Sequence, residues 1–266
     1  MGSRLMLSNA QEIDGDPCPN PCGWHRWFTW EVGHTAERSS AAGADTEWLT
    51  IDMMETANVI TGTEGYAVQA TYLIARYDAL SFEAKHEAIL GLLPTNPSRF
   101  IDIGSGTGHD AAWLVSKGHH VVAVEPVDEL CEAGRRIHSK AEVTWVNDSL
   151  PFLATFDEDC ELFDVAMLTA VWMHLDEKSR HLGMRRIASL IVPNGLLCMT
   201  LRHGPLPDGR QTFDVSSDET ISLAELSGFK TVLNVRRKSV GARNRVAGIM
   251  WSHLAFRFCP RHSDTQ

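Results

Sequence analysis

The stretch Arg99–Pro126 constrains the fold of this chain most, because it predicts a strand, a glycine turn, a helix and a second strand. The apolar run Phe100–Ile103 predicts the first strand, and Val121–Val124 predicts the second. His109–Lys117 carries apolar residues at helical spacing. The turn holds glycine at every second position: Gly104, Gly106 and Gly108. This is half of a nucleotide-binding unit, in which turn N–H groups hold an anionic group and an acid after the second strand, here Glu125, accepts hydrogen bonds from a ribose diol.

The spacing of the glycines discriminates between nucleotides. A pyrophosphate cofactor favours G-x-G-x-x-G, whose third glycine would fall at His109. The observed G-x-G-x-G, preceded by Asp102, resembles motif I of the class I S-adenosylmethionine-dependent methyltransferases. The resemblance implies S-adenosylmethionine as cofactor and assigns to its site Asp102, Gly104, Ser105, Gly106, Gly108, Glu125 and Pro126. The plainer alternative is a glycine turn in another doubly wound fold.

A second match follows the predicted third strand, Val143–Val146. In the superfamily an acid at this point receives the adenine amino group, and its neighbours donate backbone N–H groups to the ring. The resemblance therefore implies that Asp148 binds adenine and that Asn147 and Ser149 flank it. The alternative is an ordinary Asn-Asp turn.

The rest of the domain matches in order and spacing. Phe163–Leu168 predicts a fourth strand that delivers Thr169, a further cofactor residue by resemblance, to the carboxyl edge of the sheet. Asp176 predicts the N-cap of a helix through Ile191, and a Pro-Asn-Gly turn precedes a fifth strand at Leu196–Leu201. The resemblance implies an α/β fold with a Rossmann-like, seven-stranded, doubly wound sheet, an antiparallel last strand and N-terminal capping helices.

The last two strands, Phe229–Val235 and Val246–Phe256, resemble the terminal hairpin of that fold. The segment between them, residues 236–245, is strongly basic and predicts a solvated loop tip or a surface for an acidic acceptor.

Two amphipathic helices are predicted before the first strand, from Tyr66 to Tyr77 and from Phe82 to Leu93. In many small-molecule methyltransferases such helices cap the cofactor and shape the acceptor pocket. By resemblance Tyr72 or Tyr77 contacts the cofactor, and packing in the core is the alternative.

We predict three segments: a poorly defined extension (1–62), the methyltransferase domain with its capping helices (63–258), and a tail (259–266). The extension holds four of the eight tryptophans, so it is either a cover over the domain or a poorly ordered leader before a start at Met53 or Met54.

Composition excludes several classes. The net charge of −10 argues against unspecific binding to nucleic acid or anionic membranes. No apolar run approaches the ~20 residues of a membrane span, and residues 1–30 lack a secretory core, so we expect a cytoplasmic protein. The six cysteines are mostly scattered, which favours reduced thiols. Cys18 and Cys22 lack a second pair, so we expect no metal site.

Candidate acceptor-side residues follow strands four and five. His174 and His203 are candidate general bases, with a hydrogen-bonded loop histidine as the alternative for each. Trp172 either walls the pocket or packs in the core. Arg202 and Arg210 either bind an acceptor carboxylate or phosphate or are exposed loop arginines.

These residues favour transfer of a methyl group to an oxygen or nitrogen atom of a small-molecule acceptor. The Asp/Asn-Pro-Pro-Tyr/Phe motif of exocyclic-amine methyltransferases is missing after strand four, and no Pro-Cys nucleophile follows motif I. Three alternatives stay open: an RNA or protein methyltransferase using residues 236–245, a non-catalytic binding module, and a nicotinamide oxidoreductase.

Overall fold

The computed structural model describes residues 63, 65–67, 69–77, 80–157, 159–205 and 211–260, without the side chains of residues 75–77. Within these ranges the strands are β1 (Arg99–Ile103), β2 (His120–Val124), β3 (Val143–Val146), β4 (Phe163–Thr169), β5 (Ile191–His203), β6 (Phe229–Lys238) and β7 (Met250–Phe258). The α-helices are α1 (Ala70–Tyr77), α2 (Phe82–His86), α3 (His109–Ser116), α4 (Asp128–Ile137), α5 (Glu177–Ser189), α6 (Ser217–Leu226) and α7 (Ala242–Val246). Leu90–Leu92 and Trp172–His174 are 3-10 turns.

The strands form one seven-stranded sheet in the order β3-β2-β1-β4-β5-β7-β6. Strands β1 to β5 run parallel, and β7 is antiparallel to both β5 and β6. The predicted doubly wound sheet with an antiparallel last strand is therefore confirmed. The chain proceeds outward from β1 to β3 and then returns to β4 on the other side of β1, which opens a crevice at their carboxyl ends.

The central strands form because apolar residues occupy both of their faces. In β1, Phe100 and Ile101 point to opposite sides and join separate buried clusters. Helices α5 and α6 contribute to the Ile101 cluster, and α2 and α3 contribute to the Phe100 cluster. Full burial of one such side chain contributes about 1.5–3 kcal/mol. This two-sided core fixes the strand ends that carry the site.

Helix α5 begins as predicted, because the Asp176 carboxylate accepts a hydrogen bond from Ser179 N at 2.7 Å. It ends at Ser189 and not at Ile191, because Ile191 pairs with Phe163 as the start of β5. The Pro-Asn-Gly turn lies inside β5, where Asn194 has a φ of 64°.

The N-terminal helices are shorter than predicted. Tyr66 lies in a turn before α1, and the second predicted helix divides into α2 and the 3-10 turn Leu90–Leu92. Ser81 caps α2 by accepting a hydrogen bond from Ala84 N at 3.2 Å.

The predicted loop at 236–245 is wrong in part. Arg236–Lys238 continue β6, because they pair with Ser252–Met250 of β7. The predicted last strand also starts too early, since β7 begins at Met250 and Val246 ends the short helix α7. The predicted extension, residues 1–62, lies outside the described residues.

Candidate functional site

A cavity of about 1070 Å³ lies at the carboxyl edge of the sheet. Its walls include the glycine turn after β1, the end of β2 and the segment after β4. Helices α1 and α7 also contribute wall residues. The cavity therefore occupies the crevice between β1 and β4.

The glycine turn is held on β2 and crowded by the segment after β4. Gly104 N and Ser105 N both donate to Val124 O, at 2.8 and 3.0 Å. Gly104 has a φ of +70°, and a Cβ placed on it would lie 2.5 Å from Val171 Cγ2. Only glycine satisfies both conditions, so the backbone itself forms the cavity wall here.

Glu125 braces this turn from the end of β2. Its carboxylate accepts hydrogen bonds from Gly106 N at 2.7 Å and from Val127 N at 3.0 Å. The side chain is 4% exposed and borders the cavity with the neighbouring Pro126. Burial raises the pKa of Glu125 to about 7, although the two N–H donors oppose the shift.

We expect the free energy of unfolding to depend on pH through the Glu125 carboxyl. Its pKa is about 7 in the folded protein against an ordinary value of 4.5, so the folded state binds more protons between these values. Its contribution to the free energy of unfolding is full below the lower value and is lost as the pH rises through the higher one. We measure the free energy of unfolding by urea at pH 5 and at pH 8. Between these two pH values it should fall by about 1–3 kcal/mol more for wild type than for Glu125→Gln. An equal difference between the two proteins at both pH values would contradict this account.

On β1 and the glycine turn after it, three buried polar atoms of cavity-wall residues have no hydrogen-bond partner among the described residues: Asp102 Oδ2, Ser105 Oγ and Thr107 Oγ1. Burial, followed by the nearby carboxyls of Asp110 and Glu125, raises the pKa of Asp102 well above its ordinary value. A buried polar group without a partner costs about 1–3 kcal/mol. These atoms are therefore placed to meet a polar ligand.

A charged network behind the turn was not predicted from the sequence. Asp110, in the first turn of α3, contacts Lys85 Nζ at 2.6 Å and His86 Nε2 at 2.8 Å. Burial raises the pKa of Asp110, but the charges of Lys85 and His86 outweigh it and hold the pKa well below its usual range. The network fastens α2 to the start of α3 and brings Lys85 to the cavity wall.

Asp148, which follows β3, lines the cavity with its neighbour Ser149. Its two carboxylate oxygens accept from Ser149 N and Thr155 N, each at 2.7 Å. Each oxygen has a second lone pair, so the group can still accept a hydrogen bond from a ligand amine. Thr169, at the end of β4, also lines the cavity.

His174 lines the cavity and makes two hydrogen bonds through its ring. Its Nδ1 lies 3.0 Å from Gln211 O, and its Nε2 lies 3.0 Å from the hydroxyl of Tyr66. Because a carbonyl oxygen only accepts, Nδ1 carries the proton. When the ring is neutral, Nε2 therefore accepts a hydrogen bond from the Tyr66 hydroxyl.

Two arginines border the cavity, Arg202 at the end of β5 and Arg243 on α7. Arg243 donates to the hydroxyl of Tyr72 on α1 at 2.7 Å, so α1 and α7 meet beside the cavity. Tyr72 lines the cavity and is 49% exposed, so its side chain is accessible there. Its contact with the cofactor stays a prediction.

The basic segment is not a free loop tip. Arg237 pairs with Glu87, and Arg245 donates to the carbonyl oxygens of Ser239 and Val240. With the Arg243 contact, three of its cations hold neighbouring parts of the chain.

Two predicted cofactor residues do not line the cavity. Asn147 is exposed and donates to the Asp128 carboxylate at 2.6 Å. Gly108 has a φ of +69°, and a Cβ there would lie 2.5 Å from the ring of Trp145. The same ring lies 2.3 Å from a Cβ placed on Gly134 of α4, so Gly108 is needed for packing against an indole.

Two predicted acceptor-side residues are also displaced from the cavity. Trp172 is fully buried in the core, so it does not wall the pocket. His203 Nε2 lies 2.9 Å from Ser252 Oγ, and Ser252 Oγ accepts a hydrogen bond from Ser217 Oγ. His203 does not line the cavity. The side chain of Tyr77 and all of Arg210 lie outside the described residues, as do Cys18 and Cys22.

The cavity wall also holds polar residues that were not predicted as site residues: Thr63, Tyr66, Gln69, Lys85, Thr107, His109, Asp110, Thr212 and Trp251. Asp110 carried a usable signal, because it is an acid in the first turn after the glycines. Arg243 and Asn244 belong to residues 236–245, which the charge pattern predicted as a possible surface for an acidic acceptor, but the helix α7 carried no signal because it has no apolar periodicity. In the part of the chain that the structure describes, no helix is both long and apolar enough to cross a membrane.

Comparison with known proteins identifies relatives of this domain. A sequence model of the family described as methyltransferase domain matches residues 100–195. Glycine N-methyltransferase from Rattus norvegicus is 30% identical over 172 residues, which are 55% of this chain and 58% of that protein. The chain thus spans somewhat more than half of this relative's length.

Solved structures share the fold. Burkholderia thailandensis 1,6-didemethyltoxoflavin-N1-methyltransferase, with bound 1,6-didemethyltoxoflavin and S-adenosylhomocysteine, superposes with a TM-score of 0.57 at 16% identity. The match covers 85% of this chain and 95% of that one. The N-methyltransferase NodS from Bradyrhizobium japonicum, in complex with S-adenosylhomocysteine, gives a TM-score of 0.54 at 14% identity over 73% and 98% of the two chains.

Proposed function

Because this chain belongs to the class I S-adenosylmethionine-dependent methyltransferase superfamily, we propose that it transfers a methyl group from S-adenosylmethionine to an oxygen or nitrogen atom of a small-molecule acceptor. One observation carries the proposal. The cavity wall formed by the backbone of the glycine turn also holds buried polar atoms of Asp102, Ser105 and Thr107 that have no hydrogen-bond partner among the described residues. Glu125 adds a carboxylate beside the same wall.

The cofactor is S-adenosylmethionine, and the chemistry of these residues fits it. When bound, it supplies a methyl group carried on a positively charged sulfur. Glu125 would hold the ribose diol and Asp148 the adenine amino group. Asp102 would face the cofactor's positive amino group, while Ser105 and Thr107 would donate to its carboxylate. The buried polar atoms of Asp102, Ser105 and Thr107 would then gain hydrogen-bond partners on binding.

The other end of the cavity supports a small acceptor. Helices α1 and α7 meet beside it through the contact between Arg243 and Tyr72, which limits the space for a macromolecule. Arg202 and Arg243 favour an acceptor with a carboxylate or phosphate, because a guanidinium binds both in a bidentate manner. The glycine acceptor in the rat relative's name also carries a carboxylate.

Removing the Glu125 carboxylate should weaken cofactor binding. At pH 8, where Glu125 is ionised, we expect Glu125→Ala to reduce the affinity for S-adenosylhomocysteine by at least ~1 kcal/mol, about fivefold, because a charge-assisted hydrogen bond is lost. Titration calorimetry measures the change, with Asn147→Ala as the control since Asn147 lies off the cavity wall. A ligand without the ribose diol should bind wild type and mutant alike. Equal affinity of both proteins for the complete ligand would contradict the ribose role.

The remaining alternatives differ in simple measurements. An RNA methyltransferase would bind RNA in a salt-sensitive manner that neutralising the cations of residues 236–245 abolishes. A binding module would take up S-adenosylmethionine without forming a methylated product across an acceptor panel. An oxidoreductase would prefer NAD in the same titration. A cytoplasmic location stays a prediction from the sequence.

A further inference from the structure

Tyr66 and His174 both line the cavity, and the Tyr66 hydroxyl lies 3.0 Å from His174 Nε2. The two rings meet edge to face, with centroids 5.5 Å apart and planes at 80°. On the far side, the proton on Nδ1 is directed at Gln211 O. The arrangement is a chain of three groups that runs from the cavity to a backbone carbonyl.

Each member of this chain is held in place by the fold. The Tyr66 ring packs against the cluster formed by Ala70, Leu73, Val127 and Leu130, which joins α1 to α4. His174 ends the 3-10 turn after β4, and its N–H donates to Val171 O at 2.9 Å. Phe213 N donates to Met173 O at 2.7 Å, which holds the irregular segment that presents Gln211 O. The Tyr66–His174 contact thus connects the N-terminal helices to the carboxyl edge of the sheet.

We propose that Tyr66 is a catalytic residue that relays the acceptor's proton to His174. The inference rests on the proposed function, and it changes the role predicted for His174 from direct base to second carrier. The acceptor's O–H or N–H bond breaks and its proton joins Tyr66 Oη. The original Tyr66 proton moves to His174 Nε2, and the electron pair that held the acceptor's proton stays on the acceptor atom. Tyr66 is neutral before and after, and His174 ends as an imidazolium.

The relay is chemically suited to neutral pH. A phenol ordinarily titrates near pH 10, so a tyrosine alone is a poor base at pH 7. In the relay the net proton acceptor is an imidazole, which ordinarily titrates close to neutrality. The positive charge that forms on the ring strengthens the Nδ1–H hydrogen bond to Gln211 O.

The first test compares turnover of Tyr66→Phe, His174→Gln and the double variant. The panel contains glycine, other carboxylate-bearing amines and carboxylate-bearing phenols. Glutamine still accepts the Tyr66 hydrogen bond but takes up no proton, so it separates proton transfer from positioning. We expect each single variant to lower kcat at least about tenfold with unchanged affinity for S-adenosylhomocysteine. The double variant should be no slower than the slower single variant, because the two residues act in one path. His181→Gln, on the exposed face of α5, is the matched control.

The second test observes the ring nitrogens of His174 by ¹⁵N NMR, without acceptor or turnover. We expect the Nδ1–H tautomer, with an Nε2 resonance that shifts in Tyr66→Phe. A neutral Nε2–H tautomer would overturn the relay, since that nitrogen would have no lone pair to take the proton. Wild-type activity in Tyr66→Phe would overturn the relay alone. A wild type that binds S-adenosylmethionine but methylates nothing in the panel would overturn the proposed function and the relay together.

Discussion

Replacing Trp172 with alanine is expected to lower the free energy of unfolding by about 3–5 kcal/mol, the usual cost of removing a buried tryptophan. The side chain is fully buried among Leu150, Met184 and other residues of the core beneath α5. Its ring passes within 3.7 Å of a Cβ placed on Gly183, so the surrounding helix has little room to collapse into the vacated space. Urea unfolding monitored by circular dichroism measures the change.

Trp172→Phe is the matched control for this prediction. Trp172 Nε1 has no hydrogen-bond partner among the described residues, so phenylalanine loses ring volume but no polar contact. We expect it to cost clearly less than alanine. If Trp172→Ala changes stability by less than about 1 kcal/mol, as surface substitutions do, the residue is not part of the core and the pocket-wall interpretation returns.

Replacing His174 with alanine is expected to lower turnover by about 10²-fold, or ~2.7 kcal/mol in the barrier. The substitution removes the ring that we propose as the final proton acceptor of the relay. It leaves the glycine turn and the Glu125 contacts intact, so the affinity for S-adenosylhomocysteine should stay near that of wild type. Steady-state kinetics on an acceptor from the panel and titration calorimetry give the two values.

An exposed histidine provides the comparison for this substitution. His181→Ala on α5 should leave both turnover and cofactor affinity at wild-type values. Unchanged turnover in His174→Ala would remove His174 from the mechanism. A parallel loss of cofactor affinity would show instead that the ring supports the cavity wall.

The parts of the fold that follow from local pattern were predictable. The unit from β1 to β2 is fixed by apolar runs and glycines within 26 residues, from Arg99 to Val124, and its predicted boundaries differ from the observed ones by about one residue. Helix α7 was not predictable, because its position depends on how far β6 and β7 pair. Its Val246 is 92% exposed, so no buried face marks it in the sequence.

The sequence predicted the edge of the sheet at which the site lies. It did not predict which side chains at that edge line the cavity. His174 follows β4 and His203 is the last residue of β5, and both strands end at the same edge, yet only His174 lines the cavity. His203 faces Ser252 of the antiparallel β7, because successive residues of a strand point to opposite faces and its neighbour Arg202 lines the cavity. Trp172 and His174 share one 3-10 turn, and only the packing of the core decides which of them is buried.

In this chain the glycine motif also packs against the indole of Trp145. Gly108 and Gly134 approach the same ring from the turn and from α4, and a Cβ on Gly134 would also lie 2.8 Å from Thr107 O. Gly104 and Gly106 line the cavity. Gly108 instead leaves the space that the ring of Trp145 from β3 occupies. Positions 108, 134 and 145 therefore form one steric unit. Engineering that transplants the motif between such proteins must carry all three together.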